Sequence, residues 1–77
     1  TTTIYFNLAE DQMVSLSIYN IKGQLIKTLI NDQLTAGIHS LSWNGTTDKG
    51  HNAASGIYFY SLKLPHTTQS GKCLLLK

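Results

Sequence analysis

Arginine is absent from the 77-residue sequence, and charged residues of both signs together make up only 13% of it. The formal net charge of +2 therefore rests on six lysines. Lysine lacks the planar fork that a guanidinium group presents to phosphate or guanine, so a nucleic-acid partner is not predicted. With 42% hydrophobic residues, the composition also excludes a disordered acidic or basic arm.

Cysteine, proline and long apolar runs are equally scarce. The single cysteine, Cys73, excludes an internal disulfide and lies in an apolar run over 73–76, where a small buried hydrophobe is its predicted role. No apolar run approaches the roughly 20 residues that span a bilayer, so membrane insertion is not predicted. The single proline, Pro65, has no N–H for a β-ladder and is expected to end a strand.

The sequence does contain alternating apolar and polar residues, with the period of a β-strand. The pattern is clearest in Gly56–Leu64, whose predicted core face carries Tyr58, Tyr60, Leu62 and Leu64. Its other face begins with Ile57 and Phe59 and ends polar, which predicts a strand that is covered on both sides at one end. Five shorter strands are predicted at 2–8, 13–19, 25–30, 38–43 and 72–76, with polar turns at 31–37, 44–55 and 66–71.

Two features refine this pattern. The apolar pairs Leu25-Ile26 and Leu29-Ile30 break the alternation of the third strand and also fit one helical turn, but a helix of six residues would be unstable alone. Trp43 is expected to pack in the core against Tyr58 or Tyr60. Six strands in short hairpin steps predict an all-β fold, a small antiparallel immunoglobulin-like β-sandwich of about six to seven strands.

The loop at 44–55 concentrates oxygen and nitrogen ligands. Asn44, Thr46 and Asp48 occupy the first, third and fifth places of a calcium loop. The sixth place is Lys49 instead of glycine, and the twelfth is Ser55 instead of a bidentate glutamate. A turn whose side chains bond nearby backbone groups is therefore favoured over a calcium site.

Other candidate sites are no stronger. Asp48, His51 and Ser55 could be written as a catalytic triad, but they lie in one loop of a very small domain. Glu10 and Asp11 are adjacent, so on an extended backbone their carboxylates point apart. No enzymatic activity is predicted.

Histidine and tyrosine raise two further possibilities. His39 has no second histidine or cysteine at metal spacing, so a sheet histidine is favoured over a metal ligand. Tyr5 and Tyr19 fall on the polar faces of their strands, which fits a platform for sugar rings and equally fits packing at the sheet surface. No metal or cofactor is predicted.

Several stretches in fixed order resemble a known family. They are 14–29, 37–45, Asp48-Lys49-Gly50, the start of the strand at 55–60, and the end at 72–77. Together they are similar to the type A C-terminal sorting domain of type IX secretion cargo, and the immunoglobulin-like domain of flagellar hook-capping proteins shares the pattern. The resemblance implies that Trp43 is a core residue and that four glycines make turns: Gly37, Gly45, Gly50 and Gly56.

The sorting-domain resemblance implies a non-catalytic secretion signal, 1–77, at the C-terminal end of a larger exported protein. Its implied partners are an outer-membrane secretion translocon and a sortase-like peptidase, and its implied destination is the cell surface or the medium. The implied recognition residues lie at the end of the chain: Gly71, Lys72, Leu74, Leu75, Leu76 and Lys77.

Two other functions stay open at this point. One is a structural immunoglobulin-like spacer or an assembly module like that of the hook-capping proteins. The other is a carbohydrate-binding accessory module of a secreted hydrolase, acting through Tyr5 or Tyr19. A β-sandwich hosts all of these functions, and the sequence leaves the oligomeric state unknown.

Overall fold

In the computed structural model, which describes residues 1–76, six antiparallel strands form two facing sheets. The strands are β1 (Thr2–Leu8), β2 (Gln12–Tyr19), β3 (Leu25–Leu34), β4 (Gly37–Trp43), β5 (Gly56–Leu64) and β6 (Thr67–Leu75). β1 pairs with β4 in a two-stranded sheet, and the other strands form a four-stranded sheet in the order β3-β2-β5-β6. The prediction of a small antiparallel β-sandwich is confirmed. Within residues 1–76, no helix is long and apolar enough to cross a membrane.

The core lies between the two sheets and consists of the inward-facing residues that the alternation predicts. Its buried hydrophobic members are Ile4, Phe6, Leu8, Val14, Leu16, Ile18, Trp43, Tyr58, Leu62 and Leu75. Trp43 is fully buried, and its ring meets the ring of Tyr58 edge to face, with centroids 4.9 Å apart. This contact confirms the predicted place of the tryptophan.

The register between β2 and β3 explains the apolar pairs of the third strand. It shifts at two places, so that Ile26 and Leu29 have no direct partner in β2. An extra residue of this kind bends the strand and interrupts its alternation. Ile26, Leu29 and Ile30 all pack against the core as a result. β3 also continues to Leu34, so the predicted turn at 31–37 begins too early.

The hairpin of β5 and β6 also has a longer strand and a shorter turn than the sequence predicts. β5 ends at Leu64, before Pro65 as predicted, but β6 begins at Thr67 after only two connecting residues. The predicted turn at 66–71 is therefore wrong. Residues 67–70 are exposed on both faces of the strand. Without a buried face they show no hydrophobic alternation, which is why the sequence did not identify them as strand.

The turn between β2 and β3 is closed by the side chain of Asn20. Its Oδ1 accepts hydrogen bonds from the backbone N–H of Lys22 (2.9 Å) and of Gln24 (3.0 Å). Gly23 takes a φ of +80° in this turn, a conformation that other residues adopt at a cost.

We expect Asn20→Ala to lower the free energy of unfolding by about 1 kcal/mol, because the alanine leaves two backbone donors without this acceptor. Urea unfolding followed by circular dichroism measures the change. Asn20→Asp keeps the acceptor oxygen and is expected to stay closer to the wild type. Equal stability of the alanine variant and the wild type would contradict this role for Asn20.

Candidate partner-binding surface

The polar side chains of the loop at 44–55 bind backbone groups. Asn44 Oδ1 accepts from the N–H (3.1 Å) and the hydroxyl (2.7 Å) of Thr46. Asp48 Oδ1 accepts from Thr28 N–H (3.1 Å), and Asp48 N–H donates to Ile26 O (2.9 Å). The oxygens that matched a calcium loop thus close a turn and fasten it to the edge of β3.

Two other candidate polar residues, Asp11 and His39, have comparable structural partners. Asp11 Oδ1 accepts from Ala36 N–H at 2.7 Å, which ties the turn before β2 to the turn before β4. His39 Nε2 donates to Thr35 O at 2.7 Å, and its ring stacks on Phe6 with centroids 5.5 Å apart. In residues 1–76, no group of three or more histidine, cysteine, aspartate or glutamate side chains is placed to hold a metal ion.

Tyr5 and Tyr19 do not form one platform. Tyr5 lies on β1 in the two-stranded sheet, opposite Ser40, and is 73% exposed. Tyr19 lies on β2 in the four-stranded sheet, opposite Phe59. Both face outward, from opposite sides of the sandwich. A sugar ring therefore cannot contact both tyrosines at once.

The four-stranded sheet carries an apolar outer surface, which we call the outer patch: Tyr19, Leu25, Ile57, Phe59 and Leu74. The register places Leu25 and Phe59 on either side of Tyr19 in one row across β3, β2 and β5. Ile57 lies opposite Leu74 in the neighbouring row, across β5 and β6. Directly opposed residues of an antiparallel pair point to the same face, so these side chains adjoin one another.

The outer patch is open to solvent. Phe59 is 41% exposed and Ile57 is 47% exposed, although the sequence predicted cover on both sides of β5 at this end. That prediction is wrong because the second sheet packs on the opposite face of β5. Ile21 extends the apolar surface, since it lines a groove together with Ile57 at the end of the patch. Apolar residues clustered in this way on a small domain are typical of a protein-binding surface.

The residues predicted for partner recognition divide between the surface and the interior. Lys72, Leu74 and Leu76 are exposed, and Lys72 lies directly opposite Phe59 at the border of the outer patch. Leu75 is buried in the core. A partner bound to the folded surface would therefore meet the exposed members. Lys77 lies outside the described residues.

Gly71 and Cys73 occupy inward positions on β6. Gly71 lies opposite Tyr60, and a Cβ atom at Gly71 would overlap the tyrosine ring, so the ring needs the glycine in order to lie across β6. Cys73 packs against the core next to Tyr58, and burial raises the pKa of its thiol. A raised pKa disfavours the reactive thiolate, which fits a packing role for Cys73.

Comparison with known proteins identifies the relatives of this fold. Residues 1–70 match the family model of the FlgD Ig-like domain. The chain is also similar to the basal-body rod modification protein FlgD of Escherichia coli (strain K12), with 36% identity over 61 residues. That alignment covers 75% of this chain and 26% of the relative, so the chain spans about a quarter of the relative's length.

These matches correct the function that the sorting-domain resemblance implied. The sorting function, the translocon and sortase-like peptidase as partners, and type IX export to the surface or medium are wrong, because the family and the relative are FlgD proteins. The alternatives of a spacer or a carbohydrate-binding module of a secreted hydrolase gain no support from them. The resemblance to the immunoglobulin-like domain of hook-capping proteins is confirmed: the chain belongs to the FlgD Ig-like domain family.

Proposed function

We propose that this domain is a non-catalytic assembly module of a FlgD-like protein, and that it binds a protein subunit of the flagellar basal body through the outer patch. The observation that carries the proposal is the position of the outer patch on a sheet whose other face forms the core. The named activity of the relative, modification of the basal-body rod, supplies the class of partner.

The composition of the outer patch suits a protein partner. Aromatic residues dominate the energetics of protein interfaces, and Phe59 and Tyr19 stand side by side in the patch. Lys72 borders the patch and gives a charged rim position, where a residue contributes orientation more than affinity. A sheet also holds these side chains in fixed positions, which lowers the entropy lost on binding.

The polar residues support a function without catalysis. Asp48 and Asn44 accept hydrogen bonds from backbone groups of the fold, as does Asp11. Each of these side chains thus has a structural role. We further propose that 1–77 is one folding unit within a longer protein, since the FlgD relative extends well beyond the matched region.

A chimera tests this function. The matched region of the E. coli FlgD protein is replaced by residues 1–77, and the chimera is expressed in a strain that lacks its own FlgD. We expect the chimera to restore swimming motility and the hooks seen by electron microscopy. Phe59→Ser combined with Leu74→Ser should reduce motility about tenfold, since two interface anchors are lost.

A matched control lies on the other side of the sandwich. Tyr5→Ser combined with Ile38→Ser removes two exposed apolar side chains from the two-stranded sheet and should leave motility unchanged. Equal motility of the two double variants would contradict the outer patch as the binding surface. Failure of the unsubstituted chimera, with the protein folded and present, would contradict the assembly function itself.

A further inference from the structure

The outer edge of β6 exposes backbone hydrogen-bonding groups. β6 is the terminal strand of the four-stranded sheet and pairs with β5 alone within that sheet. Leu64 and Thr67 flank the two-residue turn and face each other, and residues in this position exchange backbone hydrogen bonds. Because hydrogen-bonded and non-hydrogen-bonded pairs alternate along an antiparallel ladder, every second residue after Thr67 directs its N–H and C=O groups away from β5. These residues are Thr68, Ser70, Lys72 and Leu74. The Leu74 carbonyl confirms the direction, because it accepts a hydrogen bond from Thr2 Oγ1 at 2.7 Å.

The two edges of this sheet differ in how well they are protected from pairing with another strand. At β3, Asp48 of the loop at 44–55 covers the edge at residues 26–28, where it bonds the Ile26 carbonyl and the Thr28 N–H, and two register shifts interrupt the strand. At β6, residues 67–70 and Lys72 are exposed, and the register with β5 runs without a bulge. Charges, prolines and bulges are the common protections of an edge strand. Over this part of β6 the only one present is Lys72.

We propose that β6 pairs with β6 of a second copy of this chain, antiparallel, about a two-fold axis at Ser70. In this register, Ser70 faces the partner's Ser70, and Thr68 faces the partner's Lys72. Each of the three directly opposed pairs exchanges two backbone hydrogen bonds, which gives about six. The pairing stops at Leu74, whose carbonyl is already bonded within the chain. The proposal is independent of the function proposed above.

Charge and the bonded Leu74 carbonyl together select this register among the symmetric ones. An axis at Gly71 would oppose Thr68 to Leu74, whose carbonyl is already bonded within the chain. An axis at residue 69 would oppose Lys72 to residue 66 in the turn. An axis at Lys72 would place two lysines directly opposite each other, and opposed like charges destabilise a sheet. An axis at Thr68 would pair Lys72 with residue 64 across the turn, beyond the start of the strand. The axis at Ser70 opposes each lysine to an uncharged threonine and uses every free residue of the edge. The edge is thus self-complementary, which favours a second copy as its occupant.

Analytical ultracentrifugation of the 77-residue chain at increasing concentration tests the dimer. An interface limited to one strand edge is small, so we expect a dimer that forms at about 1 mM or somewhat below. Ser70→Pro removes a donor that faces the open edge and leaves the pairing with β5 intact. It should weaken the dimer by about tenfold or more. Ser70→Ala keeps the backbone donor and should dimerise like the wild type.

Spin labels test the register without relying on the proline variant. A label at Ser70→Cys, in a chain that also carries Cys73→Ala, should give a short distance, since directly paired Cα atoms lie about 5.5 Å apart. A label at Gln33→Cys, on the opposite edge strand, should give a much longer one. A monomer at every concentration overturns the proposal. A dimer that keeps its strength in Ser70→Pro, or that shows no short distance at residue 70, also overturns it.

Discussion

Trp43→Ala is expected to lower the free energy of unfolding by about 3–5 kcal/mol, the range for truncation of a buried aromatic residue. Trp43 is 0% exposed and contacts Tyr58 edge to face. Its Nε1 also donates to Thr46 O at 2.8 Å, so the ring joins the core to the loop at 44–55. The substitution therefore leaves a cavity and removes the partner of a loop carbonyl.

The size of the domain makes this loss severe. At the usual stability per residue, a chain of this length has a free energy of unfolding of about 4–12 kcal/mol. Urea unfolding should show a large shift of the midpoint or a chain that is unfolded in buffer. Trp43→Phe keeps an aromatic ring but loses the hydrogen bond, and should lose clearly less stability. If the alanine variant differs from the wild type by less than about 1 kcal/mol, Trp43 does not organise this core.

The sequence predicted a strand correctly where one face of the strand is buried. β1 is the clearest case, because Ile4, Phe6 and Leu8 alternate with exposed residues and all three side chains are in the core. Strand length was predicted poorly where both faces are exposed to solvent, at residues 31–33 of β3 and 67–70 of β6. A strand is identified in a sequence by the alternation between residues that face the core and residues that face solvent. These segments face solvent on both sides, so their sequence does not alternate.

The bulges of β3 show a second limit. The apolar pairs of this strand follow from register shifts against β2. A register shift is a property of two strands together, so one strand's own sequence cannot distinguish it from a helical turn. The central place of β5, between β2 and β6, is likewise set by contacts between segments that are distant in the chain.

The error about function has a physical origin in the residues that carried the resemblance. Trp43 fills the core against Tyr58, and Gly56 takes a φ of +151° at the start of β5. Such residues are selected by the fold, and related domains with different partners can share them. The residues that distinguish partners are exposed, as Phe59 and Leu74 are. The alternation of β5 predicts that Phe59 is partly covered, and this prediction hides the outer patch.

Substitutions of Leu75 and Leu74 test directly which side chain at the end of β6 lies in the core and which lies on the surface. Leu75 is 1% exposed and Leu74 is 53% exposed, although they are adjacent leucines on the same strand. We expect Leu75→Ala to lower the free energy of unfolding by about 2–5 kcal/mol, because it opens a cavity between the sheets. Leu74→Ala should change stability by about 0.5 kcal/mol or less, since the side chain is largely in water already. Urea unfolding measures both.

The same two leucines show how to distinguish a recognition sequence at the chain end from a structural role of residues 72–77. Deletion of 72–77 removes Leu75 and Cys73, which both pack against the core, and ends the pairing of β6 with the first half of β5. We expect the shortened domain to be largely unfolded in buffer. Loss of activity in such a deletion would therefore reflect unfolding as much as loss of a recognition sequence. Leu74→Ala avoids this ambiguity, because it alters the outer patch while the core stays intact. Similar stability losses in Leu74→Ala and Leu75→Ala would contradict the assignment of these two leucines to opposite faces.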